Sequence, residues 1–143
     1  MKPNKNVIQI NYLTETNFTF NVENFIKEAL DIFKFKTFFF ELSFTNDDQI
    51  KEIHKKYLKS NTTTDVITFN LNSLEEPHGD IYICINEAKR NSKSLNHDLE
   101  YEIKTLIIHG LLHLIGYVDT TEKEKKIMFK EQDRLLKILT QKK

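Results

Sequence analysis

Hydrophobic residues alternate with polar ones in short stretches of the chain and recur every three or four positions in longer ones. Alternation is typical of a half-buried strand, and the wider spacing is typical of an amphipathic helix. Strands are predicted at 7–13, 38–44, 65–70 and 79–85. Helices are predicted from about 21, from about 47, at 86–92, at 96–114 and from about 121 to 139. The order predicts a single α+β domain over 1–143, with a mixed sheet of roughly four strands and about five helices.

Composition narrows the class of protein without identifying it. Of the 143 residues, 39% are hydrophobic, and 11 Phe and 5 Tyr argue against a disordered chain. No apolar run is long enough for a membrane span, and the polar N-terminus does not resemble a signal peptide, so a cytoplasmic protein is expected. Cys84 is the only cysteine, which excludes a disulfide or a thiolate zinc site within one chain. We expect Cys84 to be a core residue.

Charge does not indicate a nucleic-acid binder. The 21 basic and 21 acidic residues cancel, whereas such binders often carry a basic excess. Any contact with RNA must therefore come from a local basic patch or from a metal ion.

The candidate metal-binding residues lie near the end of the fourth predicted helix. His109 and His113 lie four residues apart, so both imidazoles project from one face of the helix. Such a pair can hold two positions of a tetrahedral metal, as in the zincin helix. Gly116 stands where a left-handed glycine ends a helix, and the turn can return Asp119 to the same metal. The spacing His-x3-His-x5-Asp, known from metzincin proteases, predicts a metal site on a helix-turn segment.

The residue after the first histidine separates this chain from those proteases. They place a glutamate there as the general base, whereas this chain has Gly110, which has no side chain. Peptide hydrolysis by that mechanism is therefore not expected. The plainer alternative is that both histidines are simply packed in a buried helix. That packing would cost desolvation of two imidazoles unless something binds them.

Residues 109–117, His-Gly-Leu-Leu-His-Leu-Ile-Gly-Tyr, resemble without a gap the signature of the YbeY-type metal-dependent endoribonucleases, the rRNA maturation factors of bacteria. Two upstream blocks, at 64–69 and 79–81, also resemble that family. Met128 stands where the family has a methionine in its last helix. The resemblance covers nearly the whole chain in the right order, and the histidine block is specific.

The chain departs from the family pattern at two places. The family usually has Asp-His after Gly-Tyr, whereas this chain has Val118 and Asp119, so the third ligand would be a carboxylate. That exchange lowers the formal charge of a zinc site from +2 to +1. The family also usually carries an arginine shortly before the strand at 65–70. Here Leu58 takes that position with Lys59 beside it, and a lysine lacks the bidentate fork of arginine.

The resemblance implies a zinc-dependent endoribonuclease that holds one Zn²⁺ per chain at His109, His113 and Asp119. It would cut single-stranded RNA in rRNA processing, with the small-subunit precursor as substrate and the ribosomal small subunit as partner; neither DNA nor a membrane is expected. The metal would polarise the phosphate or activate a water; either the metal-bound hydroxide would be the base, or the RNA's own 2′-OH would be the attacking group.

Two other functions stay open. One is a non-catalytic, metal-stabilised protein of ribosome assembly, and the other is a generic metallohydrolase acting on another ester or amide. The ligand set also occurs in non-haem Fe(II) oxygenases, but the predicted fold lacks the barrel expected for that class.

Candidate RNA contacts are the basic residues Lys59, Lys89 and Arg90. Asp65 and Asp80 open adjacent predicted strands, where they would either orient the metal ligands or cap the strand ends. His97 lies in a predicted loop and is expected to be solvated.

Overall fold

The computed structural model describes residues 6–16, 18–33, 38–58, 66–70, 78–117 and 119–140. Its elements are β1 (Asn6–Tyr12), α1 (Val22–Phe33), β2 (Phe38–Thr45), α2 (Asp47–Leu58), β3 (Val66–Asn70), β4 (His78–Cys84), α3 (Ile85–Leu95), α4 (Leu99–Leu114) and α5 (Glu122–Thr140). This is the order that the hydrophobic pattern predicted, and the α+β class is confirmed. Among the described helices, none is long and apolar enough to cross a membrane.

Strand β2 lies at the centre of the sheet. It pairs in parallel with β1 on one side and with β4 on the other, and β3 pairs antiparallel with the far side of β4. Phe40, Leu42 and Phe44 are fully buried on one face of β2, and Ser43 and Thr45 are buried on the other. A strand covered on both faces has this composition, because neither face is left to water.

Side chains fix the starts of the helices at the predicted places. The Asn46 side chain accepts from the Gln49 backbone N–H, and the Gln49 side chain accepts from the Asn46 N–H, both at 2.9 Å. Thr121 and Glu124 make the same reciprocal pair at 3.1 Å. These capping boxes satisfy backbone donors that a helix leaves unpaired in its first turn. The capping box predicted at the start of α5 is therefore confirmed.

The boundary between α3 and α4 differs from the predicted one. Helix α3 continues to Leu95, and Asn96 then adopts a left-handed conformation with φ of 57°. Asp98 caps α4 by accepting from the Tyr101 N–H at 2.8 Å, so α4 begins at Leu99 rather than near 96. Periodicity alone did not separate the two helices, because the break depends on one left-handed asparagine, a residue type that tolerates this conformation.

Helix α4 lies unusually close to β4. A Cβ atom at Gly110 would approach the Ile81 Cδ1 to 2.6 Å, and one at Gly79 would collide with the Leu114 side chain. The two glycines therefore let a helix and a strand approach where larger residues would hold them apart. One face of α4 is therefore packed against β4 through Gly110 and Leu114.

Candidate metal centre

The three residues predicted from the His-x3-His-x5-Asp spacing converge in the structure. The Nε2 atoms of His109 and His113 are 3.1 Å apart. An Asp119 carboxylate oxygen, Oδ2, lies 3.8 Å from the His109 Nε2 and 3.6 Å from the His113 Nε2. Among the described residues, this is the one group of three histidine, cysteine or carboxylate side chains close enough to hold a metal.

The triangle formed by these atoms has the size that a zinc ion needs. A point in its plane lies about 2.0 Å from all three atoms, which is the length of Zn–N and Zn–O bonds. The imidazoles are about a fifth to a quarter exposed and the carboxylate is 39% exposed. The donor set therefore fits a metal ion that protein ligands hold on one side and that a substrate can approach from the other.

The turn after α4 is a complete Schellman motif. The Tyr117 N–H donates to the Leu112 carbonyl at 3.0 Å, and the Gly116 N–H donates to the His113 carbonyl at 3.2 Å. Gly116 has φ of 114°, a backbone conformation that is strained for residues other than glycine. The glycine turn predicted from the sequence is therefore present. It reverses the chain, and Asp119 returns to the two histidines.

Each histidine has its second ring nitrogen fixed by an acceptor. The His113 Nδ1 lies 3.0 Å from the Tyr117 backbone carbonyl, which can only accept, so this nitrogen carries the proton. The His109 Nδ1 lies 2.9 Å from the Gln132 side-chain oxygen. Both rings are thus held in the tautomer that presents a lone pair at Nε2. A hydrogen bond from the distant ring nitrogen is the usual companion of metal ligation by histidine.

This arrangement requires a positive charge between the rings. When both Nδ1 atoms carry the proton, the neutral rings place two Nε2 lone pairs face to face at 3.1 Å. That contact is repulsive unless a cation or an added proton lies between them. The Asp119 carboxylate adds negative charge at the same place, which strengthens the case for a metal ion.

Gln132 is a functional residue that motif analysis missed. It is buried on α5, 23 positions from His109, within the apolar stripe that includes Met128 and Leu135. The available signal was a polar residue interrupting that stripe, since buried polar groups need a partner. Its partner is the first histidine of the motif.

The position after His109 points toward the sheet. The Cβ of a residue at 110 would meet Ile81, which is fully buried. A glutamate there would be forced against the core, so the structure agrees with the sequence argument that no side-chain base stands at this position.

Two of the three predicted RNA-contact residues, Lys89 and Arg90, lie on α3. The Arg90 guanidinium donates to Asp47 at 2.7 Å and also pairs with Glu87, and Arg90 lowers the pKa of the Asp47 carboxyl. Lys89 is half-buried on α3. Lys59 lies outside the described residues.

Of the two aspartates that were expected at strand ends, one lies among the described residues. Asp80 is half-buried in β4, in register with Glu41 on β2. Asp65 lies outside the described residues. Cys84 is fully buried, as expected, and burial raises the pKa of its thiol to about 11.

The expectation that His97 is solvated is wrong. Its Nε2 lies 2.7 Å from a carboxylate oxygen of Glu102, which is 4% exposed. The left-handed turn at Asn96 folds the chain back, and the His97 N–H donates to the Ser92 carbonyl at 3.0 Å. This places the imidazole against α4, where the Asn91 side chain donates to the other Glu102 oxygen at 3.3 Å.

An α+β fold with a His-x3-His helix, a glycine turn and a third carboxylate defines a class of helix-borne metal-binding proteins. The family model described as endoribonuclease YbeY matches residues 4–140. The chain therefore belongs to the endoribonuclease YbeY family.

Similar proteins and a solved structure agree with that membership. A protein of Karelsulcia muelleri named endoribonuclease YbeY is 39% identical, with 93% of this chain and 97% of the relative covered. A protein of the same name from Christiangramia forsetii is 31% identical over 87% of this chain and 90% of its own length. The solution structure of a Thermotoga maritima protein matches with a TM-score of 0.68 at 29% identity, covering 92% of this chain and 89% of that one.

Proposed function

We propose that this chain is a zinc-dependent endoribonuclease whose ion is held by His109, His113 and Asp119. The observation that carries the proposal is the pair of Nε2 atoms 3.1 Å apart, each on a ring whose Nδ1 faces a hydrogen-bond acceptor. Two imidazoles and a carboxylate form a donor set that suits zinc. The proposed domain spans 1–143.

A zinc ion at this place supplies Lewis-acid polarisation of a phosphodiester oxygen and an open position for water. The protein's own contribution is orientation. The Tyr117 carbonyl and the Gln132 side chain hold the two rings in one tautomer, and this removes the cost of ordering them when substrate binds. Since Gly110 supplies no base, the attacking group, which is either a water or the RNA's own 2′-OH, would pass its proton to a solvent water.

The substrate that we propose is single-stranded RNA from the small-subunit rRNA precursor. The proposed partner is the ribosomal small subunit, and the proposed location is the cytoplasm. Support comes from the family to which the chain belongs and from its relatives, which are named endoribonucleases.

Basic side chains lie in a cleft beside the metal centre. Lys130, Arg134 and Lys137 recur along α5 and line this cleft of about 700 Å³ together with Tyr117, whose carbonyl holds His113. The carboxylates of Glu131 and Asp133 also line it, and Arg134 would have to exchange its partner Glu131 for a phosphate. We propose this surface for the RNA backbone, in addition to Lys59, Lys89 and Arg90. Arg90 would have to exchange two carboxylate partners for a phosphate.

A cleavage assay with matched histidine variants tests the function. Wild-type protein loaded with zinc should cut a single-stranded fragment of the rRNA precursor, and His113→Ala should not. His54→Ala replaces a histidine on α2 and should cut like wild type. Equal cutting by His113→Ala would point to a contaminating nuclease and remove the enzyme proposal. RNA that is bound but never cut would favour an assembly role, and metal-dependent turnover of small esters alone would favour a generic metallohydrolase.

A further inference from the structure

A second cleft, of about 470 Å³, begins at the first metal-binding histidine. It runs between α3, α4 and α5, and His109 and Gln132 close one end. Along α4, Glu102 lies two turns before His109, at a distance of about 10 Å. The cleft is therefore continuous with the proposed metal centre but extends well beyond it.

Large apolar side chains are exposed around this cleft. Leu95, Tyr101 and Phe129 line it and are 62%, 38% and 48% exposed. The Phe129 ring lies 6.5 Å from the His109 ring, so an aromatic face is available directly beside the metal centre. A cluster of exposed apolar side chains at one cleft is typical of a binding site.

Polar side chains also line the cleft, and neither lysine nor arginine is among its described lining residues. The buried Glu102 carboxylate is held by His97 and Asn91, and Asp133 adds a second carboxylate. Two carboxylates disfavour a phosphate group. Asp133 leaves a hydrogen-bond acceptor for the edge of an uncharged ring, whereas both Glu102 oxygens are already engaged.

We propose that this cleft binds one nucleobase of single-stranded RNA, next to the phosphodiester that is cut. The base stacks on Phe129, beside His109, and turns its edge into the cleft toward Asp133. Aromatic stacking combined with edge hydrogen bonds is the common way in which proteins hold unpaired bases. The inference rests on the proposed function, because it takes the cleaved phosphate to lie at the metal.

Replacing the aromatic ring by an aliphatic side chain tests the stacking. Phe129→Leu keeps an apolar side chain and removes the π-face, whereas Phe129→Tyr keeps the π-face. With zinc-loaded protein and a short 2′-O-methyl RNA, Phe129→Leu should raise the Kd by about 5- to 100-fold, and Phe129→Tyr should leave it near the wild-type value. Tyr12→Leu, which removes an exposed aromatic ring on β1, should bind like wild type.

An abasic substrate locates the stacked base. Removing the base beside the cut position should weaken wild-type binding at least as much as Phe129→Leu, because it removes the edge hydrogen bonds as well as the stacking. Combining both changes should cost little more than removing the base alone, because the stacking contact is then already lost. Zinc affinity should be unchanged in Phe129→Leu. The inference is overturned if wild type cuts RNA while Phe129→Leu binds it equally well, or if the two losses multiply. If wild type neither cuts nor binds RNA, the proposed function itself has failed.

Discussion

Two groups of histidine and carboxylate flank the same helix, and they differ in how well their partners are matched. His97 and Glu102 are joined by a 2.7 Å hydrogen bond, and the second carboxylate oxygen has Asn91. At the other group, Asp119 stays 3.6 and 3.8 Å from the two Nε2 atoms, too far for a hydrogen bond. Both Nδ1 atoms there are already committed.

The comparison separates a structural pair from a ligand-binding one. A histidine that is hydrogen-bonded to a carboxylate needs no further ligand. Replacing it should therefore lower the free energy of unfolding. The side chains of His109, His113 and Asp119 have no such hydrogen bond, and a cation between them would satisfy all three. Replacing one of these side chains should therefore lower the metal affinity.

The largest effect is expected from His113→Ala. It removes one of three ligands, and the zinc Kd should rise by more than roughly a hundredfold, since even changes to residues behind a ligand cost 10- to 100-fold. Competition with a chelating dye measures this. A zinc Kd within a few-fold of wild type would mean that His113 is not a ligand.

Asp119 tests the third position. Asp119→Ala should weaken zinc binding by about tenfold or more, whereas Asp119→His should retain it, because an imidazole also supplies one ligand. Neither change should alter the melting of metal-free protein much, as Asp119 is 39% exposed. Wild-type zinc affinity in Asp119→Ala would mean that Asp119 is not a ligand.

The three proposed metal ligands could be predicted from local sequence, whereas the Gln132 side chain that holds His109 could not. His109, His113, Gly116 and Asp119 are close along the chain, so helix periodicity and one glycine turn suffice to bring them together. The contact of Gln132 with His109 depends on how α5 packs on α4, and periodicity does not specify that packing. The order of elements was predictable for the same reason as the motif, because strand alternation and helix spacing are local patterns.

Gln132 contacts the metal-binding group through His109, so its replacement tests that group separately from His97 and Glu102. Gln132→Ala leaves the His109 Nδ1 without its acceptor and should weaken zinc binding by about 10-fold, with a smaller loss than direct removal of a ligand. Isothermal titration with zinc measures the effect. Gln132→Glu keeps an acceptor and should bind zinc more tightly than Gln132→Ala, which separates loss of the hydrogen bond from loss of packing.

His97→Ala should show the opposite behaviour. It leaves one oxygen of the buried Glu102 without its partner, which should lower the free energy of unfolding by about 1–3 kcal/mol. Zinc affinity should be unchanged. Urea unfolding of metal-free protein and a zinc titration give the two readings. A large loss of zinc affinity with intact stability would reverse the assignment of the two groups.

The smallest effect is expected for Arg90, which forms a partly exposed ion pair with Asp47. Arg90 lowers the pKa of Asp47 by donating to it, so the pair contributes stability above the ordinary pKa of aspartate. That contribution is lost as the pH falls through the lowered pKa. Arg90→Gln should therefore be slightly less stable than wild type at neutral pH, by less than any change above, since exposed pairs contribute little. Urea unfolding across the acid range should show the two proteins converging. A difference that grows on acidification would mean that Asp47 is not the group through which Arg90 acts.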